Sequence, residues 1–102
     1  MDTVSLELPL VLPAKLHTSY AEELRVWLVM AIDHSMTVEI DASAVENVGQ
    51  ACLQLLVAAR SEAIQLGKTF TIEAPSAAFV ERVQLCGLAE KIGLGGSETG
   101  EE

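Results

Sequence analysis

Hydrophobic and polar positions alternate near the N-terminus of the chain. From Val4 to Leu12 an apolar residue stands at every even position, and Ser5, Glu7 and Pro9 fall between them. This period of two predicts a strand with one covered face. Because Pro9 has no N–H to donate to a neighbouring strand, we expect the strand to lie at an edge of the sheet or to break there.

The first helical pattern runs from Tyr20 to Ile32. Just before it, Ser19 and Glu22 have the spacing of a capping box, in which each side chain accepts a hydrogen bond from the other's backbone N–H. Trp27 shares a helical face with Leu24, so we interpret it as a core residue. The alternative is an exposed anchor for a partner, because tryptophan is common at interface hot spots.

Two β-rich runs follow, Met36–Asp41 and Lys68–Glu73, and the first of them is suited to a central strand. A second helical pattern lies between them and ends at Gly67. Ala74-Pro75-Ser76 opens a third helix, which ends before Gly87. The order β-α-β-α-β-α predicts an α/β domain with a central mixed sheet and helices mainly on one face. Leu88–Ile92 forms a last short apolar element.

Length and charge narrow the class of protein. A chain of 102 residues suffices for one core. The net charge of −9 repels phosphate backbones, so we expect no nucleic-acid partner. Apolar stretches are far shorter than the roughly 20 residues that cross a bilayer, and no basic segment opens a secretory signal. We therefore expect a cytoplasmic protein without membrane insertion. Residues 1–92 form the predicted domain, and 93–102 a flexible acidic, Gly-rich tail.

The sequence contains no recognisable catalytic or metal-binding motif. His17 and His34 lie in separate predicted loops, and neither has metal-ligand spacing. Cys52 and Cys86 fall among apolar residues, where a free thiol usually acts as a small buried hydrophobe. Asp41 ends a strand, where ligands of open α/β sheets bind, although its side chain can equally cap the following loop. We expect no enzyme activity and no cofactor.

Three segments resemble STAS domains, the family of bacterial anti-sigma factor antagonists. They are LHTSYAEEL at Leu16–Leu24, IDASAVENVGQACLQLL at Ile40–Leu56 and FVERVQLCGLAEKI at Phe79–Ile92. They keep the family's order and spacing across about residues 6–92. The closest resemblance is to the divergent STAS proteins encoded with chemotaxis and two-component signalling genes. This resemblance implies a small STAS-like single domain that binds other proteins.

The resemblance also points to a site. STAS domains carry a DSSG turn before the second helix, and a partner kinase phosphorylates its first serine. Here the turn reads Gly49, Gln50, Ala51, Cys52, so glutamine replaces the phosphoacceptor. The implied partner-binding residues are those of this turn and the helix start: Val48, Gly49, Gln50, Ala51 and Gln54. Gly49 and Gln50 can equally be read as residues that let the chain turn and cover the first helical turn.

No phosphoacceptor is expected in this chain. Ser43 is the nearest hydroxyl to the turn, and we interpret it as a turn residue. The implied partner is a regulatory protein such as an anti-sigma-type or chemotaxis histidine kinase, with a weak homodimer as a further expectation. The alternative is a cytoplasmic subunit of a lipid or anion transport complex, because STAS domains serve in both settings.

Overall fold

The computed structural model describes residues 9–94 of the chain. Within that range the chain forms five short strands, a 3-10 helix and three α-helices. In chain order they are β1 (Leu10–Val11), β2 (Lys15–Leu16), the 3-10 helix (Thr18–Tyr20), α1 (Ala21–His34), β3 (Thr37–Asp41), β4 (Asn47–Val48), α2 (Gln50–Gln65), β5 (Thr69–Glu73) and α3 (Ala77–Leu85).

The main sheet has the order β1-β3-β5, and both strand pairs are parallel. The predictions of a central strand in Met36–Asp41 and of a strand in Lys68–Glu73 are confirmed. Among residues 9–94, β1 lies at one edge of this sheet directly after Pro9, as the missing N–H of proline requires. The rest of the predicted N-terminal strand, residues 4–8, lies outside the described residues.

The helices cover one face of the sheet. Val38 and Ile40 of β3 are completely buried, whereas the alternate residues Thr37 and Glu39 stay partly exposed. Trp27 is partly buried and packs against the same core, so its interpretation as a core residue is confirmed. The fold is therefore a small α/β domain in which an apolar helical layer lies against a parallel sheet.

A second ladder, which the sequence analysis missed, joins β2 to β4. Lys15 pairs with Asn47 and Leu16 with Val48, again in parallel. The sequence patterns predict no strand in either segment. Two-residue strands are too short to show a period of two, so their sequences give no signal.

The predicted capping box at the start of the first helix is wrong. Ser19 lies inside the 3-10 helix, and α1 begins at Ala21 after Tyr20, without a side-chain hydrogen bond at its cap. The extra turn is closed by the N–H of Tyr20, which donates to the carbonyl of His17 at 2.9 Å. The 3-10 turn therefore moves the helix start beyond the reach of Ser19.

The third helix begins and ends as predicted. The Ser76 hydroxyl caps α3 by accepting from the N–H of Phe79 at 3.1 Å, and it donates to the carbonyl of Val45 at 2.6 Å. After α3 the chain turns at Gly87, whose φ of 70° favours glycine. The Ser76 hydroxyl thus ties the start of α3 to the loop between β3 and β4.

The segment after α3 consists of turns, and it packs back against the domain. Ile92 is buried, and the Arg60 guanidinium donates to the carbonyls of Glu90 and Lys91 at 3.3 Å. Leu94 packs against the core, and its N–H donates to the Ala89 carbonyl at 2.8 Å. The folded part therefore continues two residues beyond the predicted boundary at 92, while residues 95–102 of the predicted tail lie outside the described residues.

Phe79 is the largest of the completely buried side chains, so its removal tests the core. We expect Phe79→Ala to lower the free energy of unfolding by about 3–5 kcal/mol, because it deletes buried area and leaves a cavity. Leu85→Ala on the same helix is the control, because that side chain is 76% exposed and should change stability by less than about 0.5 kcal/mol. Urea unfolding measures both, and equal effects would contradict the assigned core.

Candidate partner-binding turn and groove

The candidate site is the turn from β4 into α2. Val48 ends β4 and packs into the core, so it anchors the turn. Gln50 and Gln54 are exposed in the first turns of α2, whereas Ala51 is half-buried. Positions four apart lie on one face of a helix, so the two glutamines present their amides side by side. The family-equivalent residues therefore form a surface turn with a buried anchor.

Gly49 holds this turn close to a neighbouring segment. Its N–H donates to the carbonyl of Leu16 at 2.8 Å, and its φ of −79° is open to any residue. A Cβ at this position would lie 3.0 Å from the oxygen of Leu16. The turn itself therefore does not require glycine at this position. Glycine suits this position because a Cβ would press against the Leu16 carbonyl and the two backbones would have to move apart by a few tenths of an ångström.

The N-terminal end of α2 has no acidic residue in its first turn, and Gly49 offers no side chain to cap it. The first intrahelical bond runs from the N–H of Leu53 to the Gly49 carbonyl at 3.1 Å. The partial positive charge of the helix end is thus not neutralised by its own first turn. Gln50, which occupies this position, is neutral and exposed.

An open groove of about 460 Å³ separates this turn from α3. One side of the groove is formed by His17 and by β4 with its neighbouring residues, and the other side by α3. The lining residues are His17, Glu46, Asn47, Val48 and Gly49 on the first side and Ala78, Glu81, Arg82 and Leu85 on the second. Leu85 is the most exposed large hydrophobic side chain among the described residues, at 76%. The groove thus combines an apolar contact with charges of both signs.

The α3 side of the groove was not predicted, although the sequence carries a signal for it. Phe79 and Val83 are four residues apart and face the core, whereas Leu85 follows Val83 by two positions. Two positions correspond to about 200° around a helix, so a leucine there faces away from the core. A leucine opposite the apolar face is therefore the recognisable mark of this surface.

A family model described as "Mlab, STAS domain" matches residues 7–95, which is most of the chain. The chain belongs to the STAS domain family. No curated protein and no solved structure matches it. The resemblance seen in three segments of the sequence is therefore confirmed for the family and its α/β fold.

The loop that precedes the turn of this STAS domain is shaped by Asp41. Its carboxylate accepts from the N–H of Ser43 at 2.8 Å, which confirms the interpretation of Asp41 as a loop cap. Hydrogen bonds from the Ser43 side chain and backbone lower the pKa of Asp41. Ser43 is exposed and takes part in the turn as the donor.

The cysteines of the domain are free thiols. Cys52 is completely buried, as predicted, and donates to the carbonyl of His17 at 3.4 Å. Burial raises the pKa of this thiol, which keeps it protonated and unreactive. Cys86 is only half-buried. The Cys52 thiol therefore serves to pack α2 against the segment that contacts Gly49.

Two further features concern metal binding and membrane insertion. In the described part of the chain, no group of three or more His, Cys, Asp or Glu side chains is placed to hold a metal ion. None of the helices between residues 9 and 94 is both long and apolar enough to cross a bilayer.

The contact between Gly49 and Leu16 can be tested by adding a single methyl group. We expect Gly49→Ala to lower the free energy of unfolding by about 1–3 kcal/mol, because backbone atoms must move to admit the new Cβ. Gln50→Ala, at the next and exposed position, should change it by less than about 0.5 kcal/mol. Chemical denaturation of the two variants makes the comparison. A Gly49→Ala protein as stable as the wild type would mean that the two backbones separate freely.

Proposed function

We propose that this STAS domain is a non-catalytic protein-binding module of bacterial signal transduction, similar to anti-sigma factor antagonists. Its docking surface comprises the exposed turn at Gly49 and Gln50 and the groove beside it. The partner is a regulatory protein such as an anti-sigma-type or chemotaxis histidine kinase. The observation that supports the proposal is the pairing of an exposed helix start with a groove that is lined in part by the exposed Leu85.

The energetic centre of the docking surface is Leu85. With 76% of its surface exposed, its transfer into a partner's apolar pocket can contribute up to about 1.5–3 kcal/mol. Glu46, Glu81 and Arg82 line the same groove. Charges at such a rim add little affinity, but they select the partner and the orientation in which it docks. An apolar anchor within a charged rim is the usual anatomy of a protein interface.

The position that carries the phosphoacceptor serine in related domains is occupied by Gln50. A phosphoserine would place a charge of about −1.5 to −2 at the start of α2, where it would change every nearby contact. Glutamine is neutral and cannot be modified in this way. We therefore propose that binding is constitutive and is set by concentration and by competition between partners.

The docking surface is tested with Gln50→Asp and Leu85→Asp. Both put a charge onto the surface that a partner must desolvate, and we expect each to raise the Kd about tenfold or more, equivalent to about 1.4 kcal/mol. Gln65→Asp, an exposed glutamine at the opposite end of α2, is the matched control and should bind as the wild type does. The partner is first purified from the native host and identified by mass spectrometry, and titration calorimetry then gives the Kd.

Wild-type affinity in both variants would place the interface elsewhere on the domain. Circular dichroism of each variant shows that a loss of binding is not a loss of folding. Recovery of a transport ATPase subunit as the stoichiometric partner would contradict the signalling role. It would instead support the alternative of a cytoplasmic subunit in a lipid or anion transport complex.

Regulation is tested by incubating the purified domain with its partner kinase and ATP. We expect no stoichiometric phosphate on the protein, because position 50 carries glutamine. Intact-mass spectrometry measures the addition, with Ser43→Ala as the comparison. Phosphate that is present on the wild type and absent from Ser43→Ala would overturn the proposal of constitutive binding and identify Ser43 as the switch.

A further inference from the structure

The outer edge of β5 is an open strand edge. β5 pairs with β3 on one side, and no other strand of residues 9–94 pairs with its second side. The N–H of Thr69 donates to the Met36 carbonyl at 3.0 Å, and the Glu73 carbonyl accepts from Ala42 at 3.1 Å. Backbone groups alternate in direction along a strand. The N–H and C=O groups of Phe70 and Ile72 are therefore directed away from β3, toward the open edge.

This edge lacks most of the devices that usually prevent strand pairing. Its sequence, Thr-Phe-Thr-Ile-Glu, contains neither proline nor lysine, and it pairs in unbroken register with β3 over all five residues. Threonine, phenylalanine and isoleucine all favour extended structure. Natural proteins blunt open edges with prolines, charges or bulges. The single charge of β5 is Glu73 at its end, and the four residues before it are suited to accept another strand.

The pattern of hydrogen-bonding groups matches a second copy of the same strand in antiparallel orientation. If the two-fold axis passes through Thr71, Phe70 of one copy lies opposite Ile72 of the other. These are the residues whose backbone groups point outward, so the two strands form about four hydrogen bonds. Thr71 then faces its own counterpart in a non-hydrogen-bonded pair, where side chains come closest.

The side chains also match in this register. Phe70 and Ile72 are only partly buried in the single domain, and each would cover the other on the face that carries the helices. On the opposite face Glu73 meets Thr69, so no carboxylate faces a carboxylate. Ala74 follows with a φ of 49°, which takes the chain out of the extended conformation and limits the pairing to β5. These matches favour the register centred on Thr71.

We propose that two copies of this domain associate through the β5 edges, so that their sheets join into one continuous sheet across a two-fold axis. The interface is isologous, as a two-fold axis requires. Its contact area is that of one short strand, so the dimer is weak. The charge of −9 on each copy opposes association, and salt screens this repulsion. Dimerisation should therefore strengthen as ionic strength rises.

The test uses opposite charges at the two-fold axis. Thr71→Lys and Thr71→Glu each place like charges face to face, and we expect each variant to raise the dimer Kd about fivefold. A mixture of the two variants places opposite charges there and should restore association to at least the wild-type level. Thr37→Lys, the same substitution on the same face of the central strand, is the control. Sedimentation equilibrium measures all four samples.

Three results would overturn the proposal. The first is a wild-type domain that stays monomeric up to about 1 mM. The second is a dimer Kd of Thr71→Lys equal to that of the wild type. The third is a mixture of Thr71→Lys and Thr71→Glu whose dimer Kd is no lower than that of either variant alone. Hydrogen exchange adds a check, because the amides of Phe70 and Ile72 should become protected as protein concentration rises. Protection that does not depend on concentration would mean that the chain covers its own edge. None of these readouts involves the docking groove, so this proposal can fail independently of the proposed function.

Discussion

The structure of the site depends on the hydrogen bond between the N–H of Gly49 and the carbonyl of Leu16. It continues the two-residue ladder of β2 and β4, and it fixes the point at which α2 starts. The bond holds the start of α2 against the segment that leads into α1, so closely that a Cβ at Gly49 would lie 3.0 Å from the Leu16 oxygen. The turn, the buried Cys52 thiol behind it and the adjacent groove all take their positions from this contact.

Much of the fold could be predicted from the sequence because its main elements are long enough to show a period. The five-residue strands β3 and β5 and the pattern of α2 are of this kind. The two features that were predicted wrongly or not at all have a common cause: contacts with the rest of the fold decide them, and the local sequence pattern does not. Ser19 has the spacing of a capping residue, yet a 3-10 turn occupies its position. The ladder of β2 and β4 exists only because distant segments meet there.

The candidate site was predicted only in part for the same reason. The turn at Gly49 and Gln50 came from family resemblance, and the structure places both residues at the helix start. The second side of the groove belongs to α3, about thirty residues further along the chain, and a local pattern does not bring such segments together. Leu85 carried a local signal as a leucine opposite the apolar helical face. That Leu85 lines the same groove as Val48 and Gly49 follows only from the fold.

The hydroxyl of Ser76 has a consequence for the kinetics of recognition. It bridges the first turn of α3 and the loop that leads into β4, while the Ser76 N–H donates to the Ala42 carbonyl at 3.1 Å. The two walls of the groove are therefore connected by hydrogen bonds and do not have to be brought together when a ligand arrives. A preorganised surface loses little conformational entropy on association. In the proposed docking role, complexes of this surface should differ from one another mainly in their rates of dissociation, since rigid docking leaves the rates of association alike.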